Sequence, residues 1–252
     1  MKHSRPVHAV VLTVPLILAL VLAVTTTWAT VPSGPPSFTD PLNITNAFQP
    51  FQPGGSKIFT GSKEGARTIV LDLYLTETRA FQLHGRTVQC RILREIAFED
   101  GQLVEVADNF FAQGDDGAVY YFGEVVDNYE GGVVANHDGS WLVGGPTLPS
   151  DPSTTGVATD PTVFMPADPQ VGDVFKPEDL FPIVDESAEV VATGKTVRVP
   201  AGRYKGVIVI KESSRLSAGT ERKWYAPGVG VVQVRALNEV LELEASTLVQ
   251  SK

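Results

Sequence analysis

The sequence predicts an all-β protein, built as a curved antiparallel sheet, a half-barrel or a barrel-like sandwich. Three observations predict this class. Apolar residues recur at every second position in many short runs, as in half-buried strands. Asp-Gly and Gly-Gly dipeptides separate these runs, as in hairpin turns. No stretch after residue 29 has the apolar period of a long amphipathic helix.

The first 29 residues have the order of a secretory signal peptide. A basic segment, MKHSRPVH, precedes the apolar run AVVLTVPLILALVLAV and the small or polar residues TTTWAT. We predict cleavage after Ala29, with Thr27 and Ala29 as the small residues of the site. A retained membrane anchor is the alternative, but the apolar run is shorter than the ~20 residues that span a bilayer. The sequence therefore predicts a secreted or periplasmic protein without a membrane span in the mature chain.

Charge and cysteine content exclude other classes. The net charge of −9 becomes −11 when Lys2 and Arg5 leave with the leader. An acidic chain without a basic stripe is a poor nucleic-acid binder, because phosphate contacts need clustered lysines and arginines. The single cysteine, Cys90, excludes an internal disulfide and lies in an apolar alternation, so we expect it to be buried. We expect a monomer.

The mature chain divides into three parts. Residues 30–55 are rich in Pro, Gly, Ser and Thr and predict an extended, flexible segment that leads into the domain. Residues 56–250 predict a single β domain. Within it, residues 144–161 have few large apolar side chains and predict a long irregular loop, and KPEDLF at 176–181 predicts one short helical turn.

Individual strands and hairpins can be placed. Ile69, Leu71, Leu73 and Leu75 alternate with polar residues and predict the apolar face of a half-buried strand. Asp-Gly pairs at 100–101 and 116–117 join three alternating runs into a meander of antiparallel strands. Residues 207–210, VIVI, are apolar on both faces and predict a central strand.

Two segments near the C-terminus carry a resemblance. The first is VPAGRY at 199–204, which leads into the strand GVIVIK at 206–211; the second is KWYAPGVGVV at 223–232. Together they resemble the C-terminal half of exported bacterial β-sheet proteins of unknown function, of the TapB-like kind. Those proteins are similar in architecture to the periplasmic lipoprotein-carrier fold, a curved sheet that can hold an acyl chain. The resemblance implies a fold and no catalytic residue.

The leading functional hypothesis is a site for a lipid-like or other apolar small ligand. A curved sheet with aromatic side chains on its concave face, covered by a loop such as 144–161, is a usual site for such molecules. The predicted lining residues are Phe110, Tyr120, Phe122, Trp141 and Trp224, with Phe164 beside them. The alternative is that these side chains fill a solid core.

A second hypothesis is a secreted hydrolase or lyase that acts on a polymer. Its catalytic residues would be Asp108, or alternatively Glu105, paired with Glu124 on neighbouring hairpin strands, and His137 as a general base. The sequence contains neither a GxSxG motif nor a metal-binding histidine motif such as HExxH.

A third hypothesis is a cation-stabilised surface module. Asp115, Asp116 and Asp127 belong to a group of acidic residues between 108 and 138, and Ca²⁺ is bound by six to eight oxygen ligands. The fixed spacing of an EF-hand loop is not present, so hairpin turns with solvated charges are the alternative.

Overall fold

The computed structural model describes residues 31–249, and the predicted leader with its cleavage site at Ala29 lies outside them. The described residues contain no α-helix, and hence no helix that could cross a membrane. They form fifteen β-strands in one sheet. The strands are β1 (Ser56–Lys63), β2 (Ala66–Leu83), β3 (Arg86–Glu99), β4 (Gln102–Gln113), β5 (Val119–Glu130), β6 (Val133–Asn136), β7 (Trp141–Val143), β8 (Gly156–Ala158), β9 (Thr162–Met165), β10 (Val174–Leu180), β11 (Val184–Val199), β12 (Gly202–Ser213), β13 (Glu221–Ala226), β14 (Gly230–Ala236) and β15 (Glu239–Ser246).

The sheet curls into a nearly closed barrel, so the predicted all-β class is confirmed. Its strands follow the order β10-β11-β12-β13-β14-β15-β1-β2-β3-β4-β5-β7-β8, and β6 and β9 pair with β5. All pairs are antiparallel except β7 with β8. The two ends of the sheet meet where β9 contacts β10, and there the Thr162 hydroxyl donates a hydrogen bond to the Pro177 carbonyl. The barrel therefore has an inner face, an outer face and one seam.

The predicted hairpin turns are confirmed. Asp100 and Gly101 have φ angles of 46° and 82° and connect β3 to β4. Two successive left-handed residues give a turn whose twist matches that of the paired strands. The Asp116-Gly117 turn connects β4 to β5 and completes the predicted meander. The four residues 207–210 are buried in β12, as expected for a strand covered on both faces.

The orientation of β2 is opposite to the one that the sequence predicts. Thr68, Val70, Asp72 and Tyr74 are buried, whereas the alternating Ile and Leu residues at 69, 71, 73 and 75 are only partly covered on the outer face. Alternation shows that a strand has two different faces but not which one is inside. Here the inside of the barrel is polar, so the more hydrophobic face of the strand is the outer one.

The segment before β1 packs across one end of the barrel. The backbone N–H groups of Thr45 and Asn46 donate to the Gln113 side chain at the end of β4. Farther along, the Ala47 carbonyl accepts a hydrogen bond from Gly228 in the β13–β14 turn. Ile44 is buried in the main apolar cluster. Residues 31–55, predicted as an extended segment, are thus part of the domain and cover this end.

Two further segments differ from their predicted form. The predicted helical turn at KPEDLF is wrong, because residues 176–180 belong to β10, whose backbone pairs with β11. The predicted loop 144–161 includes β8, which pairs with β7. Its first half is held by Asp151, whose carboxylate accepts two hydrogen bonds from buried Arg79, at 2.9 and 2.7 Å. The predicted burial of Cys90 is confirmed.

Candidate ligand-binding cavity

The barrel encloses a cavity of about 300 Å³. Eleven strands contribute to its lining, and Gln49 of the segment before β1 lies at the covered end. This size is at the lower end of the range of small-molecule sites, roughly 300–1,000 Å³. The lining residues share one feature that is unusual for a protein interior, since many of them carry charge. The carboxyl groups are those of Asp72, Glu95, Glu124, Glu178, Glu186, Glu221 and Glu239.

Only two lysines face these carboxyl groups, and both already have acidic partners. The Lys57 ammonium lies 2.9 Å from Asp72, and both side chains are buried. The Lys223 ammonium lies 2.5 Å from Glu212 and 3.3 Å from Glu221. Ion pairing within such pairs offsets much of the cost of burying their charges. The other five carboxyl groups of the cavity form no ion pair with a described residue.

Glu95 is the central example of an uncompensated carboxyl group. Burial raises its pKa to about 8, and repulsion from Asp72 and Glu105 acts in the same direction. The lysines at 223 and 57 oppose this shift only in part. A carboxyl group with such a pKa is largely protonated at neutral pH. It ionises readily when a cation comes close, because an opposite charge favours the carboxylate form.

Glu124 and Glu178 form a carboxyl pair next to the barrel seam. Burial raises the pKa of Glu124 well above its usual range, and the neighbouring Glu178 raises it further. Burial also raises the pKa of Glu178, to about 7, whereas its hydrogen bond with Glu124 lowers it. The shared proton therefore lies mainly on Glu124 at neutral pH. Glu124 comes from β5 and Glu178 from β10, so this hydrogen bond also crosses the seam.

An aromatic shelf, formed by Phe111, Tyr121 and Phe164, lies beside the carboxyl groups. The rings of Phe111 and Tyr121 stack at 4.8 Å, and Phe164 packs edge-on against both. The Tyr121 hydroxyl donates a hydrogen bond of 2.5 Å to the Asn109 side chain, which holds its ring in place. Aromatic faces carry partial negative charge and attract cations. The shelf and the carboxyl groups therefore favour the same kind of ligand.

The cavity opens at the end opposite the N-terminal segment. A second cavity of about 480 Å³ adjoins it there and shares Glu186, Glu221 and Glu239 with it. Its walls come from the β12–β13 loop, the β14–β15 turn and the β1–β2 turn. We call this opening the mouth. The three shared glutamates therefore line the place where the mouth and the inner cavity meet.

Most of the predicted ligand-lining aromatic residues point away from the cavity. Phe110 and Tyr120 each precede a residue that lines it, and adjacent residues in a strand point to opposite faces. On the outer face, Tyr120 and Phe122 pack against Phe38. Phe81 packs against Phe110 and Phe122 there. These side chains form a solid core under the N-terminal segment and the 144–155 region.

The other three predicted aromatic residues have different positions. Trp141 is fully buried behind the shelf, with its ring edge-on to Tyr121 at 5.2 Å. Trp224 is partly buried against a second apolar cluster, between the cavity-facing Lys223 and Tyr225. Phe164 does line the cavity. Of the predicted lining residues, Phe164 faces the cavity, and the other side chains lie on the outer face of their strands or behind the shelf.

The three predicted catalytic residues do not form one site. Asp108 lies on the outer face, where Arg94 donates two hydrogen bonds to it, at 2.7 and 2.8 Å. Glu124 lies on the inner face. His137 contacts the carboxylate of Asp127, with its Nδ1 at 2.8 Å, near the β6–β7 turn. Of the three, only Glu124 faces the cavity.

The three predicted metal ligands also lie apart. Asp115 accepts hydrogen bonds from Thr39 of the N-terminal segment, and Asp116 accepts one of 2.7 Å from the Tyr120 hydroxyl. Asp127 pairs with His137. Among the described residues, no group of three or more His, Cys, Asp or Glu side chains is arranged to hold a metal ion. The aspartates therefore act here as local hydrogen-bond acceptors.

The sequence contains a signal for the cavity that the sequence analysis missed. Asp72, Glu95 and Lys223 each lie within a strand and not in a turn. Each of them lies on the same face of its strand as an apolar residue, namely Val70, Leu93 or Tyr225. If that face packed against a solid core, burying the charge there would be costly. Several strands with this pattern together indicate a polar interior.

Two solved crystal structures resemble the chain over most of its length. One is a predicted exported protein with a YmcC-like fold from Bacteroides fragilis, with 17% identity and a TM-score of 0.45. The other is a predicted lipoprotein from Parabacteroides distasonis, with 14% identity and a TM-score of 0.43. Each comparison covers 80% of this chain and 99% of the other. No family model matches the chain, and no curated protein is similar to it.

Proposed function

We propose that this exported protein binds a small organic ligand that carries a positive charge, inside the barrel. The observation that supports this is the composition of the cavity: seven carboxyl groups line it against two lysines, and both lysines are already paired. A cationic group such as an amine or guanidinium would relieve the repulsion among the unpaired carboxyl groups. It would also meet the faces of the aromatic shelf.

The opposite wall of the cavity defines the rest of the ligand. Strands β1, β2, β14 and β15 contribute Lys57, Asp72 and Glu239 to it, and also its apolar side chains: Phe59, Val70, Val231, Val234 and Leu241. Burial of apolar ligand surface against this wall contributes about 25 cal/mol per Å². The two walls together suit an amphiphilic cation, with the charged group at Glu95 and the shelf and the apolar part against the valines and Leu241.

A wholly apolar ligand, as the sequence analysis predicted, suits the cavity less well. An acyl chain would cover Glu95 and its neighbours without offering any of them a hydrogen bond, and buried polar groups without partners are costly. The likeness to TapB-like proteins and to the lipoprotein-carrier architecture remains a prediction. From that resemblance we keep two expectations: the protein is exported, and it binds a ligand inside a curved sheet.

The experiment compares three probes that share one alkyl chain: octylamine, octanol and octanoate. Isothermal titration calorimetry of the mature protein at neutral pH should show the order octylamine, octanol, octanoate, from the tightest to the weakest. The Glu95→Gln variant should lose affinity for octylamine by at least about tenfold, because a buried charged pair contributes several kcal/mol, and should bind octanol unchanged. Glu130→Gln, at the exposed end of β5, is the matched control. Equal affinity for the three probes would contradict the proposal.

The Glu124–Glu178 pair favours a second candidate function, general acid–base catalysis on a small substrate. A protonated carboxyl group that is hydrogen-bonded to a carboxylate in an aromatic-lined cavity can act as the acid of a hydrolase. This candidate replaces the trio of Asp108, Glu124 and His137. Its test is turnover of small glycosides and esters. Loss of turnover in both Glu124→Gln and Glu178→Gln, with octylamine still bound, would establish it.

A further inference from the structure

Exposed apolar side chains project from the mouth of the barrel. The β10–β11, β12–β13 and β14–β15 turns all lie at this end, because successive strands in this part of the sheet are antiparallel. Each of these turns carries a large apolar residue in solvent. Leu237 is 92% exposed, Phe181 52% and Leu216 47%. The covered end of the barrel is different, since the N-terminal segment buries its aromatic side chains there.

The positions of these side chains are fixed by hydrogen bonds of the turns. The buried carboxylate of Asp185 accepts hydrogen bonds from the Arg215 backbone at 2.9 Å and from its guanidinium at 2.5 Å. The Arg215 guanidinium in turn lies 4.3 Å from the Phe181 ring centre. Asn238 accepts a hydrogen bond of 2.8 Å from Glu64 of the β1–β2 turn. These hydrogen bonds hold the backbone of the turns beside Leu216 and Leu237.

A row of three basic residues lies on the outer face of the barrel, just below the turns that carry these exposed apolar side chains. Lys211 of β12 is directly opposite Arg222 of β13, and Arg222 is directly opposite Arg235 of β14. Like charges opposite each other on neighbouring strands destabilise a sheet. Arg222 forms no ion pair within residues 31–249, whereas Lys211 and Arg235 have acidic neighbours at 3.9 and 3.3 Å. This local excess of positive charge occurs in a protein with net charge −9.

We propose that the outer side of the rim, formed by the β10–β11, β12–β13 and β14–β15 turns, docks onto the surface of an anionic phospholipid bilayer, while Glu186, Glu221 and Glu239 face the inside of the barrel. Leu216 and Leu237 would insert among the lipid head groups, and the basic row would contact the phosphates. Apolar residues flanked by basic ones, on one side of a protein, are the pattern of reversible membrane-surface binding. Separate tips on three turns suit a fluid bilayer better than a protein partner, which needs a continuous packed patch.

Acidic residues on the rest of the rim define how the protein would be oriented. The β3–β4 and β5–β6 turns, at the same end, carry Glu99, Asp100 and Glu130. Their charge would keep that side of the rim away from anionic lipids. The barrel would therefore tilt, with the turns at the ends of β10, β12 and β14 against the bilayer. This inference does not depend on the identity of the ligand.

The test is co-sedimentation of the mature protein with vesicles of phosphatidylcholine, with and without phosphatidylglycerol. We expect binding only to the vesicles that contain phosphatidylglycerol, and weaker binding as salt is added. The double variant Arg222→Ser/Arg235→Ser should reduce affinity roughly 30-fold, because each basic residue near an anionic surface contributes about fivefold. Leu216→Ser/Leu237→Ser should reduce affinity by at least about tenfold.

The matched control is Arg198→Ser/Arg203→Ser, which removes two exposed arginines that are opposite each other near the β11–β12 turn, at the other end of the barrel. It should bind vesicles as the wild type does. Urea unfolding of each variant shows whether it is folded. Absence of binding to phosphatidylglycerol at low salt would overturn the proposal. An equal loss in the control and in the rim variants would also overturn it.

Discussion

Replacement of Glu95 by Gln should make the protein more stable at alkaline pH. In the folded state the pKa of Glu95 is about 8, against an ordinary value of 4.5. Between these values the folded chain keeps a proton that the unfolded chain has lost, so the unfolding free energy falls as pH rises. The slope is about 1.4 kcal/mol per pH unit for one proton, which amounts to about 5 kcal/mol at pH 8.

The Gln side chain has nearly the same shape and does not titrate. Near pH 4.5 the variant and the wild type should therefore have similar stability, and the difference should grow up to about pH 8. Urea unfolding at several pH values between these limits measures it, with Glu130→Gln as a control for loss of an exposed carboxylate. The unfolding free energy of the variant should still fall somewhat with pH, because Glu178 and Glu212 have pKa values of about 7 and 8. A wild type with equal stability at pH 5 and pH 8 would refute this reasoning.

Two further substitutions test how the cavity is closed and framed. Asn46→Ala removes hydrogen bonds of 2.9 and 3.2 Å to the carbonyls of Pro166 and Gly117. Because buried acceptors then lack a donor, we expect the free energy of unfolding, measured with urea, to fall by about 2–4 kcal/mol. Asn43 is exposed, so Asn43→Ala should change the unfolding free energy by less than about 0.5 kcal/mol. An equal loss of stability in the two variants would contradict the conclusion that Asn46 holds the N-terminal segment over the end of the barrel. Gly123→Ala should cost at least about 3 kcal/mol, because Gly123 has φ of 110° and a Cβ there would collide with the backbone carbonyl of the neighbouring β7; a normal melting temperature would contradict this.

The turns could be predicted from the sequence because their signals are local. Asp100-Gly101 needs two left-handed residues, and only a few residue types adopt that conformation at low cost. The all-β class followed from the same signals together with alternation. No long-range information was needed for either. The hairpins and the meander were therefore correct.

The faces of the strands could not be predicted by the same reasoning. The alternation at residues 68–75 fits either orientation of the strand equally well. The prediction assumed that the leucines face the inside of the barrel, and this assumption was wrong. For the same reason Phe110 and Tyr120 were predicted to line the cavity, whereas their neighbours Phe111 and Tyr121 line it. The pairing of β5 with strands from residues 141–165, which brings Glu124 close to Glu178 at the seam, depends on contacts between distant parts of the chain. A single sequence does not state such contacts.

The most direct measurement for the acidic cavity is native mass spectrometry of the protein after export with its own leader from a bacterial cell. We expect the protein to retain one small molecule, and fragmentation of that molecule to identify a protonatable nitrogen in it. Glu95→Gln should retain less of it, and Glu130→Gln should retain as much as the wild type. A bound fatty acid or phospholipid in place of an amine would contradict the account, as would an empty protein that also fails to bind octylamine.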